Sequence, residues 1–298
     1  MLIRSGVLWM TMSNIDPSQF KQGQRESWDS VAAEWQRWWK TTETAAENVS
    51  RRLIELAEIK QDSKVLDIAT GIGEPAITAA KKVGNGGHVL ATDISPQMLS
   101  IAKQRAISLG LQDVIEFKEG DTETISLLDS AFDAALCRFG LMFLPSLGAG
   151  LSNIYKSLRK GGIFATAVLA SPDKVPFISL ALNTALKETN SPPPSINTPG
   201  PFSLSDENLL NDSFIKSGFE DITIERLDMI FDFDSAEEYT NFVCETVAPI
   251  QTILSNQSHD KRKGILRAIT DEAANRYANK DSGSVSISNK AICIAGRK

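Results

Sequence analysis

Three aspartates that follow apolar runs mark the chemistry this chain could perform. Asp67 precedes a turn that contains Gly71 and Gly73, and Asp93 and Asp121 stand at the ends of the next two apolar runs. Glycine allows the tight turn and close backbone approach that such a loop needs. A carboxylate at Asp93, 26 positions after Asp67, can accept two hydrogen bonds from a ribose diol. The pattern predicts a site for the adenosine half of a cofactor.

The charge around the turn separates the candidate cofactors. A dinucleotide places its pyrophosphate on backbone amides at a helix N-terminus, where acidic residues are unfavourable. Here Asp67 precedes the turn, Glu74 follows it and Asp121 adds a third carboxylate. These carboxylates suit a cation, such as the ammonium and sulfonium groups of S-adenosylmethionine. We therefore expect S-adenosylmethionine, although Ala76 completes a Gly-x-Gly-x-x-Ala pattern that NAD could also use.

Five ordered segments between residues 28 and 172 carry a resemblance to a known family. They include Val-Leu-Asp-Ile-Ala-Thr-Gly-Ile-Gly at 65–73 and Phe-Asp-Ala-Ala-Leu-Cys-Arg-Phe-Gly-Leu-Met-Phe at 132–143, and the others span 91–99, 119–123 and 158–164. Together they resemble class I S-adenosylmethionine-dependent methyltransferases, in particular the group similar to ubiquinone/menaquinone C-methyltransferases. The resemblance implies an enzyme that transfers a methyl group to a small, apolar or aromatic, quinone-precursor-like acceptor.

The resemblance also implies roles for individual residues. Gly71 and Gly73 would contact the methionine part of the cofactor, Asp93 the ribose, Ile94 and Met98 the adenine faces, and Asp121 with Thr122 the adenine edge. Arg138 and Phe139 would lie at the mouth of the site. The full set expected to bind the cofactor is Asp67, Ala69, Thr70, Gly71, Gly73, Asp93, Ile94, Met98, Asp121, Thr122, Arg138 and Phe139.

The aromatic residues near the N-terminus allow two interpretations. Trp28, Trp35 and Trp39 have spacings of seven and four, which line one face of a helix. That face could pack on the sheet, as amphipathic faces commonly do. Alternatively, Trp35 or Trp39 covers the cofactor and forms a wall of the acceptor pocket, as this segment does in similar methyltransferases. Phe143, in a Phe-Gly-Leu segment similar to that of the quinone methyltransferases, is the third residue expected at the acceptor.

The order of elements predicts an α/β fold. Strands at 64–69, 88–93, 115–120, 132–137 and 162–169 alternate with helices, which is typical of a doubly wound, mostly parallel sheet. Strands at 221–231 and 285–295 bring the total to seven, and the resemblance implies that these two form an antiparallel pair in a Rossmann-like methyltransferase fold. We expect a flexible tail at 1–24 and a single domain at 25–298, with N-terminal helices. A helical cap would be formed by insertions at about 171–214 and 232–283.

No side chain is assigned as catalytic. A sulfonium is a good leaving group, so transfer by direct in-line displacement depends mainly on orientation and the exclusion of water. His88 is expected to be structural or to face solvent, and His259 in the cap is a weak candidate for a base. Cys137, Cys244 and Cys293 are far apart and lie in apolar stretches, so we expect buried free thiols, no metal site and a reducing cytoplasm.

Composition limits the partners. The chain has 298 residues, a formal charge of −6 and a pI near 5.2, which argues against nucleic acid and is consistent with a small-molecule acceptor. No run approaches the ~20 apolar residues of a membrane span, and the short apolar run near the N-terminus lacks the features of an export signal. Monomer and homodimer both stay open. Two other functions also stay open: a non-catalytic S-adenosylmethionine-binding subunit and an NAD-dependent oxidoreductase.

Overall fold

A seven-stranded sheet forms the centre of the molecule. The structure is a computed structural model that describes residues 17–193 and 198–298. The strands are β1 (Lys64–Ile68), β2 (His88–Asp93), β3 (Ile115–Glu119), β4 (Phe132–Arg138), β5 (Leu158–Leu169), β6 (Glu220–Phe233) and β7 (Val285–Arg297). Their order across the sheet is β3-β2-β1-β4-β5-β7-β6. The first five pair in parallel, and β7 is antiparallel to both of its neighbours. The predicted α/β fold with a seven-stranded sheet is confirmed.

Helices α2 (Trp39–Leu56), α3 (Ala76–Val83), α4 (Pro96–Ser108), α5 (Leu147–Ser157) and α7 (Glu207–Lys216) pack against the strands. The ends of α4 show why the sequence folds this way. Ser95 accepts a hydrogen bond from the Met98 N–H and Pro96 occupies the first turn, as the N-cap pattern predicts. Leu109 and Gly110, at a φ of +70°, then end the helix.

Four further helices pack against one another and are called the cap helices below: α6 (Pro176–Thr189), α8 (Ala236–Thr246), α9 (Ala248–Ser255) and α10 (His259–Tyr277). A cluster of rings joins the cap to the end of β6. Phe177 of α6 stacks on Phe231 with centroids 4.4 Å apart, and Phe242 of α8 lies 5.6 Å from Phe231. The hydroxyl of Tyr239 donates to the carbonyl of Phe177, so this buried phenol keeps its hydrogen bond. The cap is therefore fixed to the sheet by a continuous aromatic core.

The N-terminal helices differ from the expectation. The first helix, α1 (Pro17–Arg37), begins inside the stretch expected to be a flexible tail, so the boundary placed at residue 24 falls within a helix. Residues 1–16 lie outside the described part of the chain. A turn at Trp38 separates α1 from α2, and it interrupts the helical face on which the tryptophans were expected to align. Trp28 and Trp35 therefore lie on α1, and Trp39 lies on α2.

Two further boundaries are shifted. The strand expected at 162–169 begins earlier, because residues 158–161 already belong to β5, where Leu158 pairs with Phe132. The insertion expected at 171–214 ends earlier, because α7 packs on the sheet through Phe214, whose ring stacks 5.5 Å from that of Phe164. Within the described ranges, no helix combines the length and the apolar character that crossing a membrane requires.

Candidate functional site

One long pocket lies at the carboxyl ends of β1, β2, β4 and β5, the edge where open α/β sheets bind ligands. Its inner end is formed by the glycine turn after β1 and by the ends of β2 and β3. Its outer end is formed by α2, the start of α6, the end of β6 and the corner between α8 and α9. Helix α1 lies along the side through Lys21, Gln24, Trp28 and Trp35. The pocket is about 230 Å³ in volume and mostly apolar.

Asp93 lies in the pocket wall at the end of β2, as expected. Its Oδ2 accepts the Gly71 N–H at 2.8 Å and its Oδ1 accepts the Ser95 N–H at 2.9 Å. Each oxygen keeps a lone pair for a further donor. Burial raises the pKa of Asp93 to about 6, against the opposing effect of these backbone hydrogen bonds. The carboxylate is thus fixed in orientation and can accept two ligand hydroxyl groups.

Asp67 is placed differently from the expectation. It is fully buried beneath the turn and does not reach the pocket wall. Its Oδ2 accepts the N–H of Ala76, the first residue of α3, so the carboxyl holds the start of that helix. Burial raises its pKa to about 8. Asp67 shapes the glycine turn and does not face the ligand space.

The two glycines of the turn have different surroundings. Gly71, at a φ of +57°, lines the pocket, and nothing lies within 4 Å of the place a Cβ would take. Gly73, at a φ of +109°, lies away from the wall, where a Cβ would meet Ile77 at 3.0 Å and Ala102 at 3.4 Å. Gly73 therefore serves the close approach of α4. The hydroxyl of Thr70, which precedes both glycines in the turn, is buried at the pocket without a hydrogen-bond partner in the described chain.

Two residues at neighbouring strand ends have left-handed backbone conformations. Ala69 follows β1 with a φ of +53°, and Phe139 follows β4 with a φ of +61°. Both line the pocket. Such conformations are unfavourable for residues other than glycine and concentrate at ligand sites. Gly140 makes this possible, because a Cβ there would lie 2.5 Å from the Ala69 Cβ.

The end of β3 carries an ion pair that sequence spacing did not indicate. Asp121 and Thr122 line the pocket together with Ile94 and Met98, as expected. The ammonium group of Lys21, on α1, lies 2.6 Å from both Asp121 Oδ2 and Glu123 Oε2. The pair fastens α1 over the inner end of the pocket.

Arg138 lines the pocket, and its side chain is only 7% exposed. Its Nη1 and Nη2 donate to Glu43 Oε2 and Oε1 at 3.0 and 2.8 Å, and Nη1 also donates to the Ser50 hydroxyl. Burial acts to lower the pKa of Arg138, but the charge of Glu43 and the hydrogen bonds to it outweigh that effect and raise it. The result is a fixed ion pair between β4 and α2 that forms part of the pocket wall.

Two of the three N-terminal tryptophans considered above line the pocket, and the third does not. Trp28 and Trp35 line the pocket, and the ring of Trp28 lies 5.2 Å from Phe143 in an edge-to-face contact. Trp35 and Phe143 were expected there. Trp39 was expected as well, but it follows the turn at Trp38, is 37% exposed and lies under the guanidinium of Arg105. Trp39 is therefore not part of the pocket wall.

The outer end of the pocket was missed by sequence reasoning. It is built by Phe177, Ile178, Met229, Phe231, Phe242, Thr246, Val247 and Pro249, with Pro201 and Thr42 beside them. Their strand and helix patterns showed only that they would be buried. Nothing in the sequence around Glu43 or Lys21, apart from their charge, indicated that they would lie at the pocket. Glu74 lines the pocket, and its Oε2 accepts the Thr78 N–H at the start of α3.

The remaining candidates lie elsewhere. His88 is partly exposed beside Glu116, and His259 begins α10; neither is on the pocket wall. Cys137 and Cys293 are buried free thiols, and Cys244 is half-buried. Burial raises the pKa of each to about 12.

The family comparison matches this part of the fold. Residues 65–162 match the family described as "Methyltransferase domain". This segment is a methyltransferase domain. It contains the glycine turn, Asp93, Asp121 and the Arg138–Phe139 strand end. The resemblance to class I S-adenosylmethionine-dependent methyltransferases is confirmed over this segment.

Relatives and solved structures agree with this domain. The chain is 37% identical over 100 residues to the ubiquinone/menaquinone biosynthesis C-methyltransferase UbiE of a Bradyrhizobium species, covering 34% of this chain and 40% of that protein. The YcgJ protein of Bacillus subtilis shares the fold, with a TM-score of 0.57, 17% identity, and coverage of 85% of this chain and 98% of that one. Phosphoethanolamine N-methyltransferase 2 of Haemonchus contortus, solved with S-adenosyl-L-methionine, has a TM-score of 0.54 at 17% identity, covering 97% and 61%.

The methyltransferase domain does not account for the whole chain. The chain spans about half the length, or less, of the curated relatives it matches. The matched segment ends at residue 162, before the cap begins. The outer end of the pocket therefore lies in the part that the family match does not cover.

Proposed function

We propose that this protein transfers the methyl group of S-adenosylmethionine to a small, apolar or aromatic acceptor. The observation that carries the proposal is the single pocket that runs from the glycine turn and Asp93 to the apolar rings of the cap. The inner end offers carboxylates and backbone groups, and the outer end offers rings and aliphatic side chains. A donor and an acceptor could thus be held end to end in a site that excludes water.

The residues of the inner end fit the donor. Asp93 can accept from ribose hydroxyls, the unpartnered Thr70 hydroxyl can bond a polar group, and the open space beside Gly71 allows close approach. The donor supplies an electrophilic methyl group on a sulfonium. The residues proposed to hold it are Ala69, Thr70, Gly71, Asp93, Ile94, Met98, Asp121, Thr122, Arg138 and Phe139.

The acceptor end supports an apolar or aromatic molecule. Trp28, Trp35 and Phe143 line the pocket together with Phe231 and Phe242. Burial of an aromatic ring among such side chains is favourable by about 25 cal/mol for each Å² removed from water. UbiE, by its name, is a C-methyltransferase of quinone biosynthesis, and we propose a quinone-precursor-like ring as the first acceptor to test. We further propose that it acts on a small molecule, since the net charge of −6 disfavours nucleic acid. The free thiols of Cys137, Cys244 and Cys293 support our proposal that it acts in the reducing cytoplasm.

Parallel calorimetric titration with S-adenosylmethionine, S-adenosylhomocysteine and NAD tests the cofactor. We expect binding of both adenosyl ligands and none of NAD. Asp93→Ala should weaken the adenosyl ligands by at least about tenfold, the value of one lost hydrogen bond to a charged group. Asp129→Ala, an exposed aspartate away from the pocket, is the matched control. Binding of NAD alone would replace this proposal with a nicotinamide-dependent oxidoreductase.

Turnover is a separate question from binding. Incubation with labelled S-adenosylmethionine and a panel of quinone precursors and small phenols should give a methylated product. Tight cofactor binding with no product across the panel, together with the capture of one specific protein, would instead indicate a non-catalytic binding subunit.

A further inference from the structure

Three polar side chains of α2 and α8 at the outer end of the pocket, Thr42, Glu43 and Thr246, offer hydrogen-bond acceptors. We use the name acceptor chamber for the space between Thr42, Glu43, Phe177, Phe231, Phe242 and Thr246. Thr42 donates its hydroxyl to the Trp38 carbonyl, and Thr246 donates its hydroxyl to the Phe242 carbonyl. Both hydroxyls therefore present lone pairs to the chamber. Glu43 adds a carboxylate, which only accepts.

Glu43 stands where the two ends of the pocket meet. Its partner Arg138 ends β4, between β1, which leads to the glycine turn, and β5, which leads to the cap. The Glu43 side chain is 16% exposed, and that of Arg138 is 7% exposed. Because the guanidinium holds both carboxylate oxygens, Glu43 is fixed in the pocket wall, and each oxygen keeps a lone pair for a further donor.

The cations near the chamber are already engaged. Arg138 donates to Glu43 and Ser50, and Lys21 is bound to Asp121 and Glu123 at the far end. The other side-chain donors on the wall are uncharged: Gln24 and the indole N–H groups of Trp28 and Trp35 on α1, and the hydroxyls of Thr70 and Thr122 at the inner end. The Trp35 N–H is buried without a hydrogen-bond partner in the described chain, so the wall holds a free neutral donor but not a free cation. An anionic acceptor would thus meet a carboxylate and no free cation within the described residues. An acceptor molecule with a hydroxyl or amino group against Glu43 would instead replace the hydrogen bonds that the carboxylate loses when water leaves the pocket.

We propose that Glu43, held by Arg138, is a positioning residue that selects an uncharged, largely apolar acceptor carrying a hydroxyl or amino donor. Acceptors that present a carboxylate or phosphate are rejected. This inference rests on the proposed methyltransferase function, and it adds the chemical class of the acceptor.

Three probes that share a naphthalene ring and differ in one substituent test the proposed role of Glu43. The protein is saturated with S-adenosylhomocysteine and titrated with 2-naphthol, 2-methoxynaphthalene and 2-naphthoate. We expect 2-naphthol to bind about 10- to 100-fold more tightly than the other two, as for a hydrogen bond to a charged group. Equal binding of the three, tighter binding of 2-naphthoate, or no binding of any of them would overturn the proposal.

Glu43→Gln sharpens the test. The amide can no longer neutralise Arg138, so the guanidinium becomes available and 2-naphthoate should become the preferred probe. A purely structural role for Glu43 would weaken all three probes alike and keep their order. Glu47→Gln, exposed one turn later on α2, is the matched control and should leave the order unchanged. Binding of S-adenosylhomocysteine and a cooperative thermal transition show that each variant is folded.

The two proposals fail in different ways. If the wild-type protein binds neither S-adenosylmethionine nor S-adenosylhomocysteine, the proposed function is wrong. If it binds both and the probe order is not the one given above, only the role of Glu43 is wrong. The wild-type panel gives a decision even if Glu43→Gln does not fold.

Discussion

The ammonium group of Lys21 lies 2.6 Å from the carboxylate of Asp121, 100 positions later in the chain. This contact fastens α1 to the end of β3. Asp29, two turns further along α1, accepts the hydroxyl of Ser95 at the start of α4. A small apolar cluster that includes Val31, Ile72 and Met98 lies beside it. The helix that lines the pocket is thus held at the end where the cofactor is proposed to bind.

Removing the lysine should loosen α1. Lys21→Met leaves Asp121 and Glu123 without their cation, so we expect faster proteolytic cleavage within residues 17–37. The free energy of unfolding should fall by less than about 1 kcal/mol, because partly exposed ion pairs contribute little. Lys103→Met, at an exposed position of α4, is the control. Unchanged cleavage of α1 would show that the apolar cluster alone holds the helix.

The binding of S-adenosylmethionine should depend on pH through Asp93. Its pKa is raised to about 6 by burial, and ligand hydroxyls bond best to the ionised form. Affinity should therefore be constant above pH 6 and fall about tenfold for each unit below it. Calorimetry between pH 5 and 8 measures this. In Asp93→Asn the affinity should be lower and the slope near pH 6 absent; an equal slope in both proteins would assign the titration to another group.

Stability should decrease in mildly alkaline solution because of Asp67. Its pKa is about 8 in the folded protein against a usual value of 3.8, so the folded state binds the extra proton between these values. Folding stability therefore falls as the pH rises toward 8, and the slope ends above it. Urea unfolding at pH 6.5 and 8.5 should show a loss of about 2 kcal/mol. Asp67→Asn should show little loss, and an equal loss in this variant would contradict the assignment.

Replacing Trp28 should affect acceptor binding more than replacing Trp39. Trp28→Ala removes a ring from the pocket wall and should weaken 2-naphthol binding by about tenfold or more, as for a buried aromatic anchor. Trp39→Ala, at the half-exposed position under Arg105, should change binding less than twofold. Titrations of the two variants saturated with S-adenosylhomocysteine compare them directly. A larger effect at Trp39 would restore the sequence-based expectation.

Gly140 should be sensitive to a single methyl group. A Cβ at this position would lie 2.5 Å from the Ala69 Cβ and 2.8 Å from the Cys137 sulfur. Gly140→Ala should lower the free energy of unfolding by about 1 to 3 kcal/mol through overpacking. Gly148→Ala, in helix α5 with nothing within 4 Å, should raise it by about 0.5 to 1 kcal/mol. Urea unfolding of both variants measures the change in the free energy of unfolding. Similar changes in the two variants would show that the backbone at the end of β4 shifts to accommodate the added methyl group.

The sequence by itself determined the features that depend on near neighbours. Period-two apolar runs, a glycine turn and capping residues set the strands, α4 and the three strand-end acids, because each is governed by residues a few positions away. Parallel strands bring their carboxyl ends to one edge, so Asp93, Asp121 and Phe139 could be expected near each other.

Only the tertiary structure decided which side chains reach the ligand space. Asp67 and Gly73 belong to the predicted glycine turn, but Asp67 accepts a hydrogen bond from the first residue of α3 and Gly73 lies against α4. Trp39 has the predicted helical spacing, yet it lies outside the pocket wall. Glu43 meets Arg138 across 95 positions, and the acceptor chamber is assembled from α2, α6, β6 and α8. Such contacts depend on how distant elements pack, and no local spacing specifies them, because a buried apolar residue looks the same in sequence whether it faces the core or a ligand.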